Sequence, residues 1–139
     1  MSDFIDTSVL VATMVATEPF HMECDALLNR KALGVYAHAL TETFSTLTGG
    51  RKSFRLAASV AAAVLEEDYL PDLAITALTP TEMLRAMREA EARGVRGGAI
   101  FDFLHLVAAR KAKAARFYTL NVSDFRAFYR KGDPEIVHP

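Results

Sequence analysis

The fold is decided first by the stretch FIDTSVL at residues 4–10. Residues 4–6 form a short apolar run, which predicts a strand, and DTS at residues 6–8 consists of types that begin helices. A helix is then expected to run through Met14. The stretch therefore predicts a buried strand that turns directly into a helix, with Asp6 at the turn.

The rest of the chain alternates in the same way between strand and helix patterns. Further strands are expected at residues 34–37, 73–78, 116–120 and 135–137. The helical patterns fall at residues 20–29, 38–48, 53–69, 80–94, 99–114 and 123–128. Such alternation predicts an α/β fold of residues 1–139 as one domain, with a mainly parallel sheet covered by helices on both faces.

Composition excludes several classes of protein. The 139 residues are 51% hydrophobic, which supports a packed core of ordinary domain size. A net charge of −1 argues against a polycationic nucleic-acid coat, although basic residues do cluster locally. No apolar run approaches the length of about 20 residues that a membrane span needs. The single cysteine, Cys24, has no partner for an internal disulfide, and we expect it to lie in the core. A lone cysteine favours a reducing, cytoplasmic location, and the first residues do not resemble a signal peptide.

Acidic side chains follow the predicted strands. Asp6 closes the first strand, Glu42 lies early in the helix after the second, and Asp102 lies early in the helix before the fourth. Asn121 and Asp124 come directly after the fourth strand. Because ligands of parallel sheets bind beyond the carboxyl ends of the strands, these side chains are expected to converge.

Each acid taken alone has a plain structural explanation. Asp6 is a common helix cap, Glu42 lies opposite the apolar stripe of its helix, and Asp124 suits the start of a turn. Asp102 is the most informative because its helix is apolar nearly all round, which indicates burial. Gly98 lies one turn earlier on the same face and leaves space beside that carboxylate.

Converging carboxylates indicate a hard divalent cation. Oxygen ligands suit Mg²⁺ or Mn²⁺ rather than zinc, and the sequence has neither a cysteine cluster nor a histidine pair at zinc spacing. Mg²⁺ held by carboxylates and substrate phosphates is typical of phosphodiester hydrolysis.

The ordered set of motifs resembles the PIN-domain ribonucleases. The resemblance rests on residues 4–10, on ALTE at 39–42, on the helix from Gly98 to Ala109 and on YTLNVSDF at 118–125. It covers essentially the whole chain. It implies a three-layer α/β/α sandwich with a parallel five-stranded sheet and an RNA endonuclease that uses Mg²⁺, with Mn²⁺ as a substitute.

The resemblance also assigns roles to residues. It implies Asp6, Glu42 and Asp102 as metal-binding catalytic acids, supported by Thr7, Ser8 and Thr119. The sequence departs from the family at Asn121, where many members carry a fourth aspartate. Asn121 offers an amide oxygen without charge, and Asp124 is the candidate to replace the missing acid as a catalytic residue.

The small size resembles the VapC-type toxins of toxin–antitoxin pairs. This likeness implies a homodimer, a cognate antitoxin that lies across the active-site groove, and an RNA substrate. Candidate RNA contacts are His38, one turn before Glu42, and the basic residues Arg51, Lys52 and Arg55. His105, three residues after Asp102, is expected to be a hydrogen-bonded helix histidine.

Two other functions remain open at this stage. A catalytically silent PIN-like module would bind RNA or protein without cutting RNA. The uncharged Asn121, at the place of a fourth acid, is compatible with this function. A receiver-like signalling domain would share the fold class and an acidic Mg²⁺ site. It should, however, carry a phospho-accepting aspartate after its central strand and a lysine after a later one, and both are missing.

Overall fold

A computed structural model of the chain describes residues 3–52 and 54–139. Its strands are β1 (Asp3–Ile5), β2 (Leu33–Tyr36), β3 (Leu73–Thr76), β4 (Arg116–Tyr118) and β5 (Glu135–Val137). Its helices are α1 (Thr7–Met14), α2 (His21–Arg30), α3 (His38–Thr48), α4 (Ala58–Val64), α5 (Pro80–Arg93), α6 (Ala99–Lys111) and α7 (Val122–Phe128). The predicted alternation of strands and helices is confirmed.

The five strands form one sheet in the order β3-β2-β1-β4-β5, and every neighbouring pair is parallel. In the centre, Ile5 of β1 lies opposite Val35 of β2 and Tyr118 of β4. All strands therefore end at the same edge. The chain order runs outward from β1 in two directions, so the crevice between β1 and β4 is the point where such folds bind ligands.

Neighbouring side chains of β1 point to opposite faces, as the pleat of a strand requires. Phe4 packs in a core formed with α5, α6 and α7, whereas Ile5 packs in a second core formed with α1, α2, α3 and the segment that follows α4. Both side chains are completely buried. Two cores on two sides of one sheet confirm the three-layer sandwich.

Helix α6 crosses the sheet as a buried element. Residues 103–109 are all buried, which confirms the burial predicted from the apolar sequence. Its first turn, with Asp102, is only partly covered. The polar first turn of α6 therefore lies at the edge of the sheet, and its apolar middle lies in the core.

The segment before α4 differs from its prediction. The predicted helix at residues 53–69 begins only at Ala58, and Ser53 lies outside the described residues. Residues 54–57 are not helical, since Leu56 N–H donates to the Leu47 carbonyl oxygen (2.8 Å) and so ties this segment to the end of α3. The helix then continues beyond Val64 as a wide π-helical turn and a 3₁₀ turn, reaching Asp72.

The other boundaries differ by a few residues. Strand β1 ends at Ile5, one residue before the predicted end, because Asp6 caps α1. Strands β3 and β4 end two residues early. Helix α6 ends at Lys111 rather than Ala114, since Lys113 adopts a left-handed conformation (φ 58°) and Ala114 N–H closes the turn on the Ala109 carbonyl.

Cys24 lies in the core around α1 and α2, as predicted. Burial raises the pKa of its thiol to about 11, so it remains protonated at neutral pH. Within residues 3–52 and 54–139, no helix has the length and apolar character needed to cross a membrane.

Candidate active site

Asp6 stands at the junction of β1 and α1, where it caps the helix and faces the crevice. Its Oδ1 accepts hydrogen bonds from Val9 N–H (3.2 Å) and from Ser8 Oγ (2.6 Å). Its Oδ2 accepts one from Thr119 Oγ1 (2.7 Å). The residue is only 4% exposed. The capping role and the position at the site therefore belong to the same carboxylate.

The hydroxyls that hold Asp6 also join the ends of β1 and β4. Ser8 Oγ accepts a hydrogen bond from Leu120 N–H (3.0 Å), and Thr119 Oγ1 accepts one from Asn121 N–H (2.9 Å). Each hydroxyl donates to Asp6 and accepts from the backbone after β4. The predicted supporting residues Ser8 and Thr119 thus bridge the crevice.

Glu42 is brought to the site by α3 and held from two other helices. Its Oε1 accepts a hydrogen bond from Thr7 Oγ1 (3.0 Å) on α1 and lies 2.6 Å from His105 Nε2 on α6. His105 is 2% exposed, and its Nδ1 has no hydrogen-bond partner among the described residues. An imidazole that carries its proton on Nε2 satisfies both observations. His105 is therefore the hydrogen-bonded helix histidine that was predicted.

The pKa values record how the acids are held. Burial raises the pKa of Asp6, although the hydrogen bonds from Ser8 and Thr119 oppose that rise. Burial also raises the pKa of Asp102, and the negative charges of Asp6, Asp124 and Glu42 add to the effect. For Glu42, the hydrogen bonds from His105 and Thr7 outweigh burial and leave its pKa below the usual value.

Asp102 faces a second opening of the site. Together with Gly98 and Asp124 it lines a cavity of about 490 Å³, and a side chain added at Gly98 would meet nothing within 4 Å. This agrees with the space expected beside Asp102. Asp124 lies exposed in the first turn of α7, whereas the Asn121 side chain does not cap that helix and lines the neighbouring cavity. The two candidates for the fourth position thus flank the site on different sides.

The acids share one neighbourhood without forming a closed ligand cage. In the part of the chain that the structure describes, no three His, Cys, Asp or Glu side chains are grouped tightly enough to hold a metal ion. Glu42 is directed to Thr7 and His105, and both oxygens of Asp6 are occupied by protein donors.

The four candidate RNA contacts are all exposed side chains. His38 is exposed and stacks on Tyr36, with ring centroids 4.4 Å apart, and its charge acts on Glu42. Arg51 and Arg55 are exposed, whereas Lys52 Nζ pairs with Glu18 Oε1 at 2.9 Å.

Tyr36 was missed by the sequence reasoning. It lies between His38 and His105, meeting the latter edge-on with centroids 5.3 Å apart. The only signal in the sequence is its place as a bulky last residue of a buried strand.

Comparison with known proteins shows the family of the chain. The family model described as PIN domain matches residues 4–131. Ribonuclease VapC27 of Mycobacterium tuberculosis (strain ATCC 25618 / H37Rv) is 32% identical over 110 residues, which cover 79% of this chain and 78% of that protein.

Solved structures share the fold. VapC20 of Mycobacterium tuberculosis, described as a sarcin-ricin loop cleaving toxin, superposes with a TM-score of 0.72 at 21% identity, covering 96% of this chain and 100% of its own. A toxin–antitoxin complex from Klebsiella pneumoniae contains a chain with a TM-score of 0.67 at 16% identity, with coverage of 99% and 98%. The receiver-like alternative is set aside by the match over residues 4–131, and the chain belongs to the PIN-domain family.

Proposed function

We propose that the chain is a divalent-metal-dependent endoribonuclease that uses Mg²⁺, or Mn²⁺ in its place. The observation that carries the proposal is that Asp6, Glu42 and Asp102, which come from three different parts of the chain, lie near enough for the charges of Asp6 and Glu42 to act on Asp102. Their electrostatic coupling is visible in the pKa of Asp102, which burial and the neighbouring acids raise together.

The residues present fit a hard cation. All candidate ligand atoms are oxygens, the class that Mg²⁺ and Mn²⁺ prefer. A positive ion beside Asp6 and Asp102 would offset both the cost of burying their charges and the repulsion between them. When bound, such an ion supplies the positive charge that activates water and stabilises the leaving oxygen of a phosphodiester.

The protein divides the work among its own side chains. Asp6, Glu42 and Asp102 would hold the ion, with Asp124 as the candidate fourth acid. Ser8 and Thr119 fix the orientation of Asp6, and Thr7 and His105 fix that of Glu42. Such supporting partners commonly matter about 10- to 100-fold for metal affinity or activity.

The proposed biological role is that of a toxin inhibited by an antitoxin. It is supported by the 32% identity to a protein named ribonuclease VapC27 and by the fold shared with a chain of a toxin–antitoxin complex. RNA is the proposed substrate, a homodimer is the proposed assembly and the cytoplasm the proposed location.

Expression in a bacterial host tests the toxin role. The wild-type chain should arrest growth, and Asp102→Asn, expressed to the same soluble level, should not. Growth that continues normally with abundant soluble wild-type protein would count against the toxin role.

One observation favours a second candidate, a PIN-like module that binds RNA or protein without cutting. The side chain at position 121 is an uncharged amide, where the resemblance to the family implies a fourth acid. Metal-dependent cleavage by the wild-type protein rules this candidate out, whereas RNA binding without cleavage supports it.

A further inference from the structure

A cavity of about 380 Å³ opens beside the candidate active site, between α1 and the start of α2. Two of its wall residues touch the acids directly, since Ser8 donates to Asp6 and Thr7 donates to Glu42. Asn121 lines the same cavity. The cavity and the acids therefore share the side chains of Thr7 and Ser8.

The chemistry of the walls is that of a small-molecule site. Val11, Ala12 and Leu120 supply apolar surface, and Thr46 and Asn121 add a few polar groups. The volume falls in the range of about 300–1,000 Å³ that is typical of ligand pockets. Its two charged residues, Lys52 and Glu18, pair with each other at 2.9 Å. Charges that cancel in this way suit a neutral planar group better than a second phosphate.

Phe20 forms one side of the cavity in an unusual conformation. Its backbone is left-handed (φ 64°), which is strained for a bulky side chain, and its ring is 48% exposed. The ring packs edge-on against His138, with centroids 4.6 Å apart. Strained residues that present a functional group often lie at binding sites. An exposed aromatic ring beside a nuclease centre is the surface on which single-stranded bases stack.

We propose that this cavity binds the nucleobase next to the scissile phosphate, with Phe20 as the stacking surface and Asn121 as a hydrogen-bonding partner for the base edge. This inference rests on the proposed nuclease function and adds to it a specificity-determining subsite. Binding of this base in the cavity would make the position at which RNA is cleaved depend on the identity of that one base.

The test pairs a protein variant with a substrate lacking one base. An RNA oligonucleotide that the wild-type protein cuts is prepared as a series, each member abasic at one position flanking the cut. For the wild-type protein, removal of one particular base should lower kcat/KM by about 5- to 150-fold, the range expected for one stacked base. Phe20→Ala should show the same loss on the intact RNA and no further loss when that base is removed.

Two variants serve as controls. Phe20→Tyr keeps the ring and should behave as wild type. Met22→Ala removes a side chain of the first turn of α2 that is 77% exposed and does not line the cavity, and it should retain full sensitivity to the missing base. Unchanged thermal unfolding of Phe20→Ala confirms that the fold is intact.

A second abasic series is built on single-stranded RNA that is chosen for binding rather than for cleavage, and its binding in EDTA is followed by fluorescence anisotropy. This measurement separates the base-binding proposal from the nuclease proposal. Base-dependent binding that Phe20→Ala abolishes supports the subsite even if no cleavage occurs. The proposal is overturned if removal of each base lowers cleavage by Phe20→Ala as much as it lowers cleavage by the wild-type protein. It is also overturned if Phe20→Ala cuts and binds RNA normally but escapes inhibition by the antitoxin, because the cavity would then be a protein-docking site. Absence of both cleavage and base-dependent binding overturns both proposals.

Discussion

At the scale of single residues, the site is built from carboxylates whose partners are short hydroxyl side chains. The DTS sequence at residues 6–8 supplies an acid and the two hydroxyls that hold Asp6 and Glu42. The sequence was enough to predict that Asp6 lies at a strand–helix turn. The sequence did not predict that Ser8 donates to Asp6 whereas Thr7 donates to Glu42, because these contacts depend on where α3 places Glu42.

Asp102 gives the first prediction, which concerns stability and pH. Its pKa in the folded protein is raised, so the folded state binds more protons than the unfolded state in the interval between the ordinary value of 3.8 and the raised one. The free energy of unfolding of the metal-free protein therefore loses a contribution as pH rises through that interval. Asp102→Asn does not undergo this loss.

Thermal unfolding in EDTA measures this difference. The melting temperature of Asp102→Asn minus that of wild type should grow as pH rises from 4 toward neutrality, about the range in which such a carboxyl loses its proton. Added Mn²⁺ should raise the melting temperature of wild type more than that of the variant. A difference that is independent of pH would contradict the electrostatic account of Asp102.

Thr119 gives the second prediction. Thr119→Val removes the donor to Asp6 Oδ2 and the acceptor for Asn121 N–H at nearly constant volume. Mn²⁺ affinity, measured by calorimetric titration, should fall by about 10- to 100-fold. Thr119→Ser keeps the hydroxyl and should restore most of the affinity. Equal affinities of the valine and serine variants would show that the hydroxyl does not orient Asp6.

At the scale of elements, most of the fold followed from local pattern. The bounds of α3 and β5 were predicted to the residue. Local pattern failed where distant backbone intervenes, as at residues 54–57, which bond back to α3. The local pattern also could not predict how α3 and α6 pack against each other, so it could not predict the contact between Glu42 and His105.

That contact gives the third prediction. Asp102 and His105 are three residues apart on α6, so one helix supplies both an acid and the side chain that positions another acid. His105→Leu should reduce cleavage by about 10- to 100-fold, because Glu42 loses its strongest partner. The loss should appear as a higher Mn²⁺ concentration for half-maximal activity.

His105→Gln is the matched control for that experiment. Its amide can donate to Glu42 from roughly the place of Nε2 and should recover much of the activity at low Mn²⁺. Similar metal dependence of the leucine and glutamine variants, with both proteins folded, would mean that His105 has only a packing role.

At the scale of the whole molecule, the net charge of −1 includes basic residues that differ in whether they are paired with acids. Several basic residues that cluster in the sequence are paired in the fold, with Arg110 bound to Glu89, Lys111 to Glu82 and Arg116 to Asp3. Arg51 and Arg55 form no salt bridge among the described residues. Clustering in the sequence therefore could not show which basic residues are available to RNA.

The basic candidate RNA contacts give the fourth prediction. Replacing Arg51, Lys52 and Arg55 by alanine should weaken binding of single-stranded RNA to the catalytically inactive Asp102→Asn background. Each phosphate contact that is lost should reduce the slope of log K against log salt by about 0.7. The matched control replaces three exposed basic residues in α5 and after α6, Arg85, Arg88 and Lys113, with the same change in net charge. Equal slopes for the two triple variants would exclude a specific role of these contacts.

The central claim is that Asp6, Glu42 and Asp102 form a metal-dependent centre that cuts RNA. The most direct measurement incubates a mixed RNA pool with wild-type protein or Asp102→Asn in Mg²⁺, in Mn²⁺ and in EDTA, and sequences the new ends. The account predicts cleavage by wild type in either metal and neither cleavage in EDTA nor cleavage by the variant. Cleavage by wild type that persists in EDTA, or full activity of folded Asp102→Asn, would contradict it.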